Sequence, residues 1–312
     1  MNEYLMTQLT HCTCCPRRCR VNRLAGKLGF CRISAPIQVS HAGLHSGEEP
    51  PISGSTGSGT IFFAGCNLAC VFCQNYQISQ EFSRFPCRIL STDELASEML
   101  HLQAKGAHNI NFVSPSHVIL QMADAIRKAK AKGLAIPVVY NTNGYDSLDA
   151  LRQIRGLVDI YLPDIKYMDN ALSMQLSAVP DYADVIPGVL QEMFGQVGHL
   201  VLDGAGIAVR GLLVRHLVLP GCQDNSRRCL EFLSSLSRQT SVSIMSQYSP
   251  QYKAYGYPEI NRRLTKNEYD EITRYALDLG LENVFVQEIT SQDNYLPDFS
   301  RENPFSPAAP FF

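Results

Sequence analysis

The sequence predicts an α/β protein, a full or partial TIM-like (β/α) barrel with a small cysteine-rich segment at its N-terminus. Three observations lead to this prediction. From residue 60 onward, short apolar runs alternate with amphipathic stretches, which is the pattern of βα units around a parallel sheet. Polar residues follow most of the apolar runs, at the strand ends where such barrels carry their functional groups. Five of the eleven cysteines lie within the first 31 residues.

The predicted strands are short runs rich in β-branched and aromatic residues. They cover residues 60–63, 110–113, 136–140, 158–162, 212–219, 242–247 and 284–286. Helices are predicted where apolar residues recur three and four positions apart. The first begins at a capping box formed by Ser91 and Glu94 and ends before Gly106. The others cover residues 118–132, 148–154, 171–197, 226–239 and 265–279, the last with a second capping box at Thr265 and Glu268.

Polar clusters at the strand ends favour the barrel over its runner-up, a doubly wound open sheet. They occupy residues 114–117, 141–144, 163–166, 215–216 and 246–248. Because a barrel gathers the C-terminal ends of its strands around one opening, we expect these side chains to surround a bound cofactor. Only one of Arg215 and His216 can face inward, since neighbouring strand residues point to opposite faces.

The chain divides into three parts by composition. Residues 1–50 are predicted to be a cysteine-rich metal-binding segment, residues 51–290 the barrel, and residues 291–312 a tail rich in Pro and Phe. A stretch of Gly, Ser and Pro from residue 50 to 59 marks the first boundary.

Composition and charge exclude several classes of protein. Hydrophobic residues make up 45% of the chain and charged residues 18%, which is enough for a large core and argues against disorder. With a formal net charge of −2, the chain gives no reason to expect a nucleic-acid partner. No apolar run reaches the ~18 residues of a membrane span, and no secretory leader pattern is evident. We therefore expect a cytoplasmic protein, in which cysteines are more often metal ligands than disulfides.

The most informative motif is Cys66-x3-Cys70-x2-Cys73. It supplies three thiolates where a [4Fe–4S] cube takes four, so one iron is left open for a ligand that is not protein. The alternatives are a zinc site or scattered core cysteines. Zinc usually takes a closed set of four ligands, and three cysteines within eight residues are rarely accidental. The motif therefore predicts an iron–sulfur cluster with an open iron.

A second metal site is predicted in the N-terminal segment. Cys12, Cys15, Cys19 and Cys31 offer four thiolates, which can close a tetrahedral zinc site or hold a second iron–sulfur cluster. Cys14 is left over, or substitutes for Cys12. A segment this polar has too small an apolar core to stay folded without a cross-link such as a bound metal.

The cysteine motif, with Phe72 just before its third cysteine, resembles the signature of the radical S-adenosylmethionine (SAM) superfamily. Further segments resemble the glycyl-radical-enzyme activases, and the whole chain is most similar to a pyruvate formate-lyase activating enzyme-like group of unknown substrate. These segments are Cys73–Asn75, Thr142–Gly144, Asp164–Lys166 and residues 215–221. The resemblance implies that SAM binds the open iron and is cleaved reductively to methionine and a 5′-deoxyadenosyl radical. That radical then abstracts hydrogen from a substrate that the sequence does not identify.

The resemblance also implies roles for individual residues. Cys66, Cys70 and Cys73 are the implied cluster ligands. The implied SAM-binding residues are Phe72 and Asn75 near the adenine, Asn143, Asp164 and Lys166 near the methionine or ribose, and Arg215 facing the same cavity. Activases usually end their second strand in a glycine-rich turn whose acidic residue receives the SAM ammonium. Here Ser114 begins a Ser-Pro-Ser-His turn, and its hydroxyl could accept that hydrogen bond instead.

The resulting hypothesis is a radical SAM oxidoreductase that needs a low-potential electron donor, a flavodoxin or a ferredoxin. Two alternatives remain open. One is an activase that installs a glycyl radical on a partner enzyme, which would make the substrate a protein. The other is an iron–sulfur or zinc scaffold, or an electron carrier, that does not cleave SAM.

Overall fold

The computed structural model describes residues 3–293 and 296–305. Within them, the strands join into one sheet. The strands are β1 (Ile37–His45), β2 (Ser58–Phe63), β3 (Arg88–Leu90), β4 (Ile110–Val113), β5 (Val138–Thr142), β6 (Ile160–Pro163), β7 (Val201–Leu202), β8 (Ala208–Leu217), β9 (Ser241–Met245) and β10 (Asn283–Val286).

The helices fill the connections between the strands. They are α1 (Glu3–Thr10), α2 (Pro50–Ser53), α3 (Tyr76–Ser79), α4 (Thr92–Ala104), α5 (Ile119–Ala131), α6 (Leu148–Gln153), α7 (Asn170–Ser177), α8 (Tyr182–Val197), α9 (Gln223–Leu236) and α10 (Lys266–Asp278). Short 3₁₀ turns cover Phe82–Arg84, Ala254–Gly256 and Ile289–Asp293. Both predicted capping boxes form, at the N-termini of α4 and α10.

The sheet order confirms a partial barrel. Neighbouring strands follow the order β10-β9-β8-β6-β5-β4-β2-β1-β3, with β7 paired to β8. From β2 to β10 along this path every pairing is parallel, and the strands follow one another in chain order. A doubly wound sheet would reverse its strand order at a switch point, so that alternative is wrong. The path has two ends, β3 and β10, among the described residues, which is why the barrel is partial.

Three strands were missed by the sequence analysis, and one of them is the two-residue β7, which pairs with β8. β1 lies inside the predicted N-terminal segment and pairs antiparallel with β2 and β3. Most of its residues are only half-buried, so polar residues interrupt its apolar pattern and weaken the signal. β3 has three residues, too few to show any periodicity.

The predicted helix over residues 171–197 is two helices, and this prediction was wrong. α7 ends at Ser177, and Ala178 follows in the left-handed conformation with φ of +54°. Pro180 prevents an immediate restart, because proline disfavours the helical conformation of the residue before it. The proline was the sequence signal for this break.

The inner face of the sheet is apolar at one end and polar at the other. A small buried cluster joins Val139, Ile160, Leu162, Ala208 and Leu213 with Ile52 of α2. Two residues further along β5 and β8 the inward positions are Asn141 and Arg215, because side chains alternate along a strand. The polar end is the C-terminal end of the parallel strands, as the barrel prediction requires. Among the residues that the structure covers, no helix has the length and apolar character to cross a membrane.

His216 points away from the barrel interior, as expected from the alternation with Arg215. The ring is fully buried, with Nδ1 at 2.8 Å from the carbonyl oxygen of Ile165 and Nε2 at 2.9 Å from Ser226 Oγ. Burial lowers the pKa of His216 to about 4 from its ordinary value of 6.5. The folded protein therefore keeps this ring neutral under conditions in which the unfolded chain protonates it.

We predict that His216 makes the folded state less stable as the pH falls from about 6.5 to about 4. In this window the unfolded state binds the additional proton, so the free energy of unfolding decreases. Urea unfolding at pH 8 and pH 5 measures this loss. His216→Gln, whose amide keeps polar atoms in place, should lose less stability between the two pH values than the wild type. An equal or larger loss in the variant would contradict the assignment.

Candidate functional site

The loop that carries Cys66, Cys70 and Cys73 follows the C-terminal end of β2. β2 is buried along its whole length, which fixes the start of the loop inside the protein. Gly65 turns the chain with φ of +76°, and a Cβ atom there would lie 2.5 Å from the carbonyl oxygen of Cys31. Glycine is therefore required at this turn. At this turn the cysteine loop is in close contact with the N-terminal segment, at Cys31.

Each of the three sulfurs contacts a polar side chain from another part of the chain. The distances to Sγ are 3.4 Å for Asn143 Nδ2 to Cys66, 3.0 Å for Ser177 Oγ to Cys70 and 3.2 Å for Ser79 Oγ to Cys73. Hydrogen bonds to sulfur stabilise negative charge, and they tune the potential of a cluster that the sulfurs bind. These contacts suit thiolate ligands better than inert core thiols.

The same loop is tied to its surroundings through its backbone. The amides of Ala69 and Val71 donate to carbonyl oxygens of α7, at 3.1 Å and 2.9 Å. Asn67 donates from Nδ2 to the carbonyl oxygen of Tyr145 at 2.6 Å and accepts from Asn143 at 2.8 Å. The loop is thus fixed between α7 and the turn after β5.

Burial makes these thiols hard to ionise without a cation. Burial, with a smaller contribution from the neighbouring Cys70, raises the pKa of Cys66 to about 12 and that of Cys73 to about 11. Burial also raises the pKa of Cys70. Thiolates in such a place require a metal to balance their charge, and metal binding would release protons. The donor set therefore fits an iron centre.

The three cysteines line a cavity of about 220 Å³ at the C-terminal ends of the strands. Every residue predicted for the cluster and for SAM lines this cavity: Cys66, Phe72, Cys70, Cys73, Asn75, Ser114, Asn143, Asp164, Lys166 and Arg215. The convergence is a structural fact, whereas the ligand that each residue binds remains a prediction.

Asp164 and Lys166 form an ion pair at the end of β6. Lys166 Nζ lies 2.6 Å from Asp164 Oδ2, and both side chains are mostly buried. Burial alone would lower the pKa of Lys166, but the adjacent Asp164 carboxylate outweighs it and raises that pKa. Gly144, with φ of +80°, passes so close that a Cβ atom would lie 2.4 Å from the carbonyl oxygen of Asp164. The predicted Thr-Asn-Gly segment therefore sets the spacing between the ends of β5 and β6.

The remaining predicted SAM-binding residues lie on three different segments. The Phe72 ring packs edge-on against Tyr248, with 6.0 Å between centroids. Asn75 precedes α3. Ser114 has φ of +54°, a left-handed conformation that favours glycine.

Arg215 is held by two carboxylates that the sequence analysis missed. Its Nε and Nη2 bond both oxygens of Glu49, at 2.8 Å and 2.7 Å, and Nη2 also bonds Glu48. Burial alone would raise the pKa of Glu49, but the charge and hydrogen bonds of Arg215 outweigh it and lower that pKa. Glu48 and Glu49 are the first acidic residues after Glu3, which was the available signal. Their pairing with Arg215 required the fold.

The cavity also includes residues that no motif identified, among them His45 and Met245, together with Gln247 of the predicted 246–248 cluster. Pro297 and Phe305 of the predicted tail also line it, and the Phe305 ring lies 4.0 Å from that of His45. The described part of the tail thus closes one side of the cavity, while residues 294–295 and 306–312 of that prediction lie outside the described residues.

The N-terminal cysteines surround a second, small cavity of about 10 Å³. Cys12, Cys15, Cys19 and Cys31 line it as a group, and Cys14, which the sequence left over, lines it as well. Arg17 and His117 also line this cavity. Arg17 Nη2 and His117 Nδ1 are buried without a hydrogen-bond partner among the described residues. Unpartnered polar atoms beside five thiols fit a cavity that holds a further group.

In the described ranges, no three His, Cys, Asp or Glu side chains already converge as ligands of a single metal ion. A zinc ion requires its ligands to converge in this way, whereas each thiolate of an iron–sulfur cube binds a different iron.

The two cysteine sites are in direct contact. Arg17 donates from Nε to the carbonyl oxygen of Asn67 at 2.9 Å, one residue after Cys66. The Arg17 guanidinium also stacks 3.6 Å above the ring of Phe30, which is exposed. A short path of contacts therefore leads from the surface to the loop that carries the Cys66 motif.

Comparison with known proteins identifies the class. The sequence profile of the Radical SAM superfamily matches residues 60–191. Uncharacterized protein MJ0674 of Methanocaldococcus jannaschii is 34% identical over 282 residues, covering 88% of this chain and 77% of that protein. The chain belongs to the radical SAM superfamily, and membership implies cleavage of SAM at an iron–sulfur cluster.

Solved structures share the fold at low sequence identity. SuiB of Streptococcus suis bound to S-adenosylmethionine superposes with a TM-score of 0.51 at 12% identity, covering 72% of this chain and 48% of that chain. The FeFe-hydrogenase maturase HydG from Carboxydothermus hydrogenoformans gives 0.50 at 11% identity, covering 73% and 52%. This chain therefore spans about half the length of those proteins, and the likeness concerns the barrel.

We predict that Glu49→Gln destabilises the fold by about 3 kcal/mol, because it leaves the buried Arg215 without its two-point partner. Glu48→Gln is the matched control and should cost clearly less, since Arg215 keeps both bonds to Glu49. Urea unfolding of both variants beside the wild type measures the difference. Equal losses, or a larger loss for Glu48→Gln, would show that the bidentate pair is not the dominant interaction.

Proposed function

We propose that this protein is a radical SAM enzyme whose [4Fe–4S] cluster is bound by Cys66, Cys70 and Cys73. The observation that carries the proposal is that these cysteines share one cavity with all the residues predicted for SAM. When bound, the cluster supplies the electron that cleaves SAM to methionine and a 5′-deoxyadenosyl radical, which takes hydrogen from the substrate. The substrate is not identified.

The ion pair of Asp164 and Lys166 supports a role in binding the methionine part of SAM. The ammonium of SAM would take Lys166's place at Asp164, and its carboxylate would take Asp164's place at Lys166. Each partner of the internal pair would thus keep an opposite charge beside it. Asn143 would contact both Cys66 and the methionine end of SAM, since its Nδ2 already contacts the Cys66 sulfur.

The other predicted residues are proposed to orient the rest of SAM. Phe72 and Asn75 would lie against the adenine, and the Ser114 hydroxyl would accept from the ammonium where other family members use an acidic residue. Arg215 faces the same cavity, but its charge is already balanced by Glu48 and Glu49. We therefore assign Arg215 to shaping the interior of the barrel rather than to binding a free anion.

We further propose a second metal centre at Cys12, Cys15, Cys19 and Cys31. The five thiols and two unpartnered polar atoms around the N-terminal cavity support it. Zinc and an iron–sulfur cluster both remain candidates for the group. All eleven cysteines are free thiols in the structure, which suits metal binding in a reducing compartment such as the cytoplasm.

A low-potential donor, a flavodoxin or a ferredoxin, would supply the electron. The surface around the N-terminal cysteines fits an acidic protein of this kind. From residue 4 to residue 47 the chain has no acidic residue, and of its basic residues Arg18, Arg20, Lys27 and Arg32 are exposed, whereas Arg23 is buried. Leu28 of the same segment is an exposed apolar residue. Opposite charge would speed the encounter with the donor.

The central experiment is anaerobic reconstitution with iron, sulfide, dithionite and SAM. The wild type should form 5′-deoxyadenosine and methionine, and Cys70→Ala should lose this activity by at least about 100-fold, since a cluster ligand is missing. Cys87→Ala is the control, because Cys87 lines neither cavity. A wild type that assembles its cluster but never cleaves SAM would instead support the scaffold or electron-carrier alternative. A glycyl radical formed on a co-purified partner would support the activase alternative.

Donor docking gives a separate prediction. With reduced flavodoxin as electron source, Arg18→Glu combined with Arg20→Glu should slow SAM cleavage about 10-fold at low salt, because reversed charge weakens steering. Rates with dithionite should be unchanged. Lys105→Glu serves as control, since Lys105 follows α4 near the start of β2, at the other end of the barrel. Loss of both flavodoxin- and dithionite-driven rates, or no loss at all, would contradict docking at this surface.

A further inference from the structure

His117 is buried, and it lies between the two cysteine sites. It follows β4, is 2% exposed, and lines the N-terminal cavity together with the five cysteines. Its Nε2 lies 2.8 Å from the carbonyl oxygen of Ala64, two residues before Cys66. The sequence analysis placed this histidine in the 114–117 cluster expected around the cofactor, whereas in the structure it lines the N-terminal cavity.

The contact with Ala64 determines which ring nitrogen carries the proton. A carbonyl oxygen can only accept a hydrogen bond, so Nε2 must be the donor. Burial, reinforced by the charge of Arg23, lowers the pKa of His117 to about 4, so the ring is neutral at neutral pH. In a neutral ring with a proton on Nε2, Nδ1 carries a free lone pair. Nδ1 is buried and has no partner among the described residues.

This arrangement matches that of a metal-bound histidine. Such a histidine binds the metal through one nitrogen and donates the other N–H to a carboxylate or a backbone carbonyl, which fixes the ring and its tautomer. His117 already makes this second hydrogen bond through Nε2. Its Nδ1 has no partner among the described residues, and the residue lines the same cavity as the five cysteines. A buried acceptor without a partner is otherwise unfavourable, so a bound metal would also resolve that defect.

We propose that Nδ1 of His117 is a ligand of the N-terminal metal centre, which would then be a mixed thiolate and imidazole site. The inference rests on the second metal centre proposed above and not on SAM cleavage. Thiolate with imidazole suits both zinc and an iron–sulfur cluster, and the experiment distinguishes the two. His216 is the internal comparison, because it is equally buried but both of its ring nitrogens have partners.

The first measurement needs no variant. Anaerobically purified wild type is analysed for iron and zinc per chain. If zinc is present, its X-ray absorption spectrum should show one nitrogen ligand beside sulfur. If iron exceeds the four atoms of one cluster, protein labelled with ¹⁵N-histidine should show ¹⁵N hyperfine coupling to the additional reduced cluster. An all-sulfur zinc shell, an additional cluster without ¹⁵N coupling, or a wild type without any metal beyond one cluster would overturn the proposal.

The second measurement uses variants. His117→Gln can keep a donor near Ala64 but has no imidazole lone pair, and we expect the N-terminal metal to be lost to a competing chelator at least about 10-fold more readily. His216→Gln should retain it as the wild type does. Unchanged retention in His117→Gln would overturn the proposal. SAM cleavage with dithionite, assayed on the wild type alone, reports separately on the radical SAM function.

Discussion

The position of the cysteine loop after β2 depends on hydrogen bonds from elements that are distant in the chain. The loop has little secondary structure of its own, so its shape is set by Asn143 after β5, by α7 and by the turn at Gly65. Asn143 contacts both Asn67 and the sulfur of Cys66, and Ser177 of α7 contacts the sulfur of Cys70. Loops positioned by a rigid sheet in this way can hold reactive groups without great internal stability.

The interior of the barrel changes character along its axis. Toward the N-terminal ends of the strands it is a small apolar cluster around Ile52 and Ile160. Toward their C-terminal ends it is ionic, with Arg215 between Glu48 and Glu49. An ionic group this deeply buried is stable only when its partners are in place. The segment from Glu48 through α2 therefore supplies both the counter-charges of the cavity and the apolar residue that closes the barrel beneath it.

The two cysteine sites form one structural unit. Gly65 packs against the Cys31 carbonyl, Arg17 bonds the Asn67 carbonyl, and His117 bonds the Ala64 carbonyl. A change in the N-terminal segment is therefore transmitted to the backbone on either side of Cys66. These contacts connect the N-terminal cavity to the wall of the larger cavity at the strand ends, so a group bound in the first would affect the second.

The sequence alone determined the features that depend on local spacing. The interval between Cys66, Cys70 and Cys73, the alternation of strands and helices, and the capping boxes at Ser91 and Thr265 are all encoded within short stretches. Most strand and helix positions, and the residues at the strand ends, followed from them. The prediction of a single helix over residues 171–197 was wrong because the break at Pro180 was overlooked. β1 was not predicted because its residues are mostly half-buried, so its apolar alternation is weak.

The tertiary structure alone decided which distant residues meet. Arg215 reaches Glu49 across 166 positions of the chain, and His117 reaches Ala64 across 53. No local pattern records such pairs, because a charged or polar residue in a loop has the same sequence signature whether it is solvated or buried. Burial and partner are properties of the packed sheet, and they give Glu48, Glu49 and His117 their chemistry.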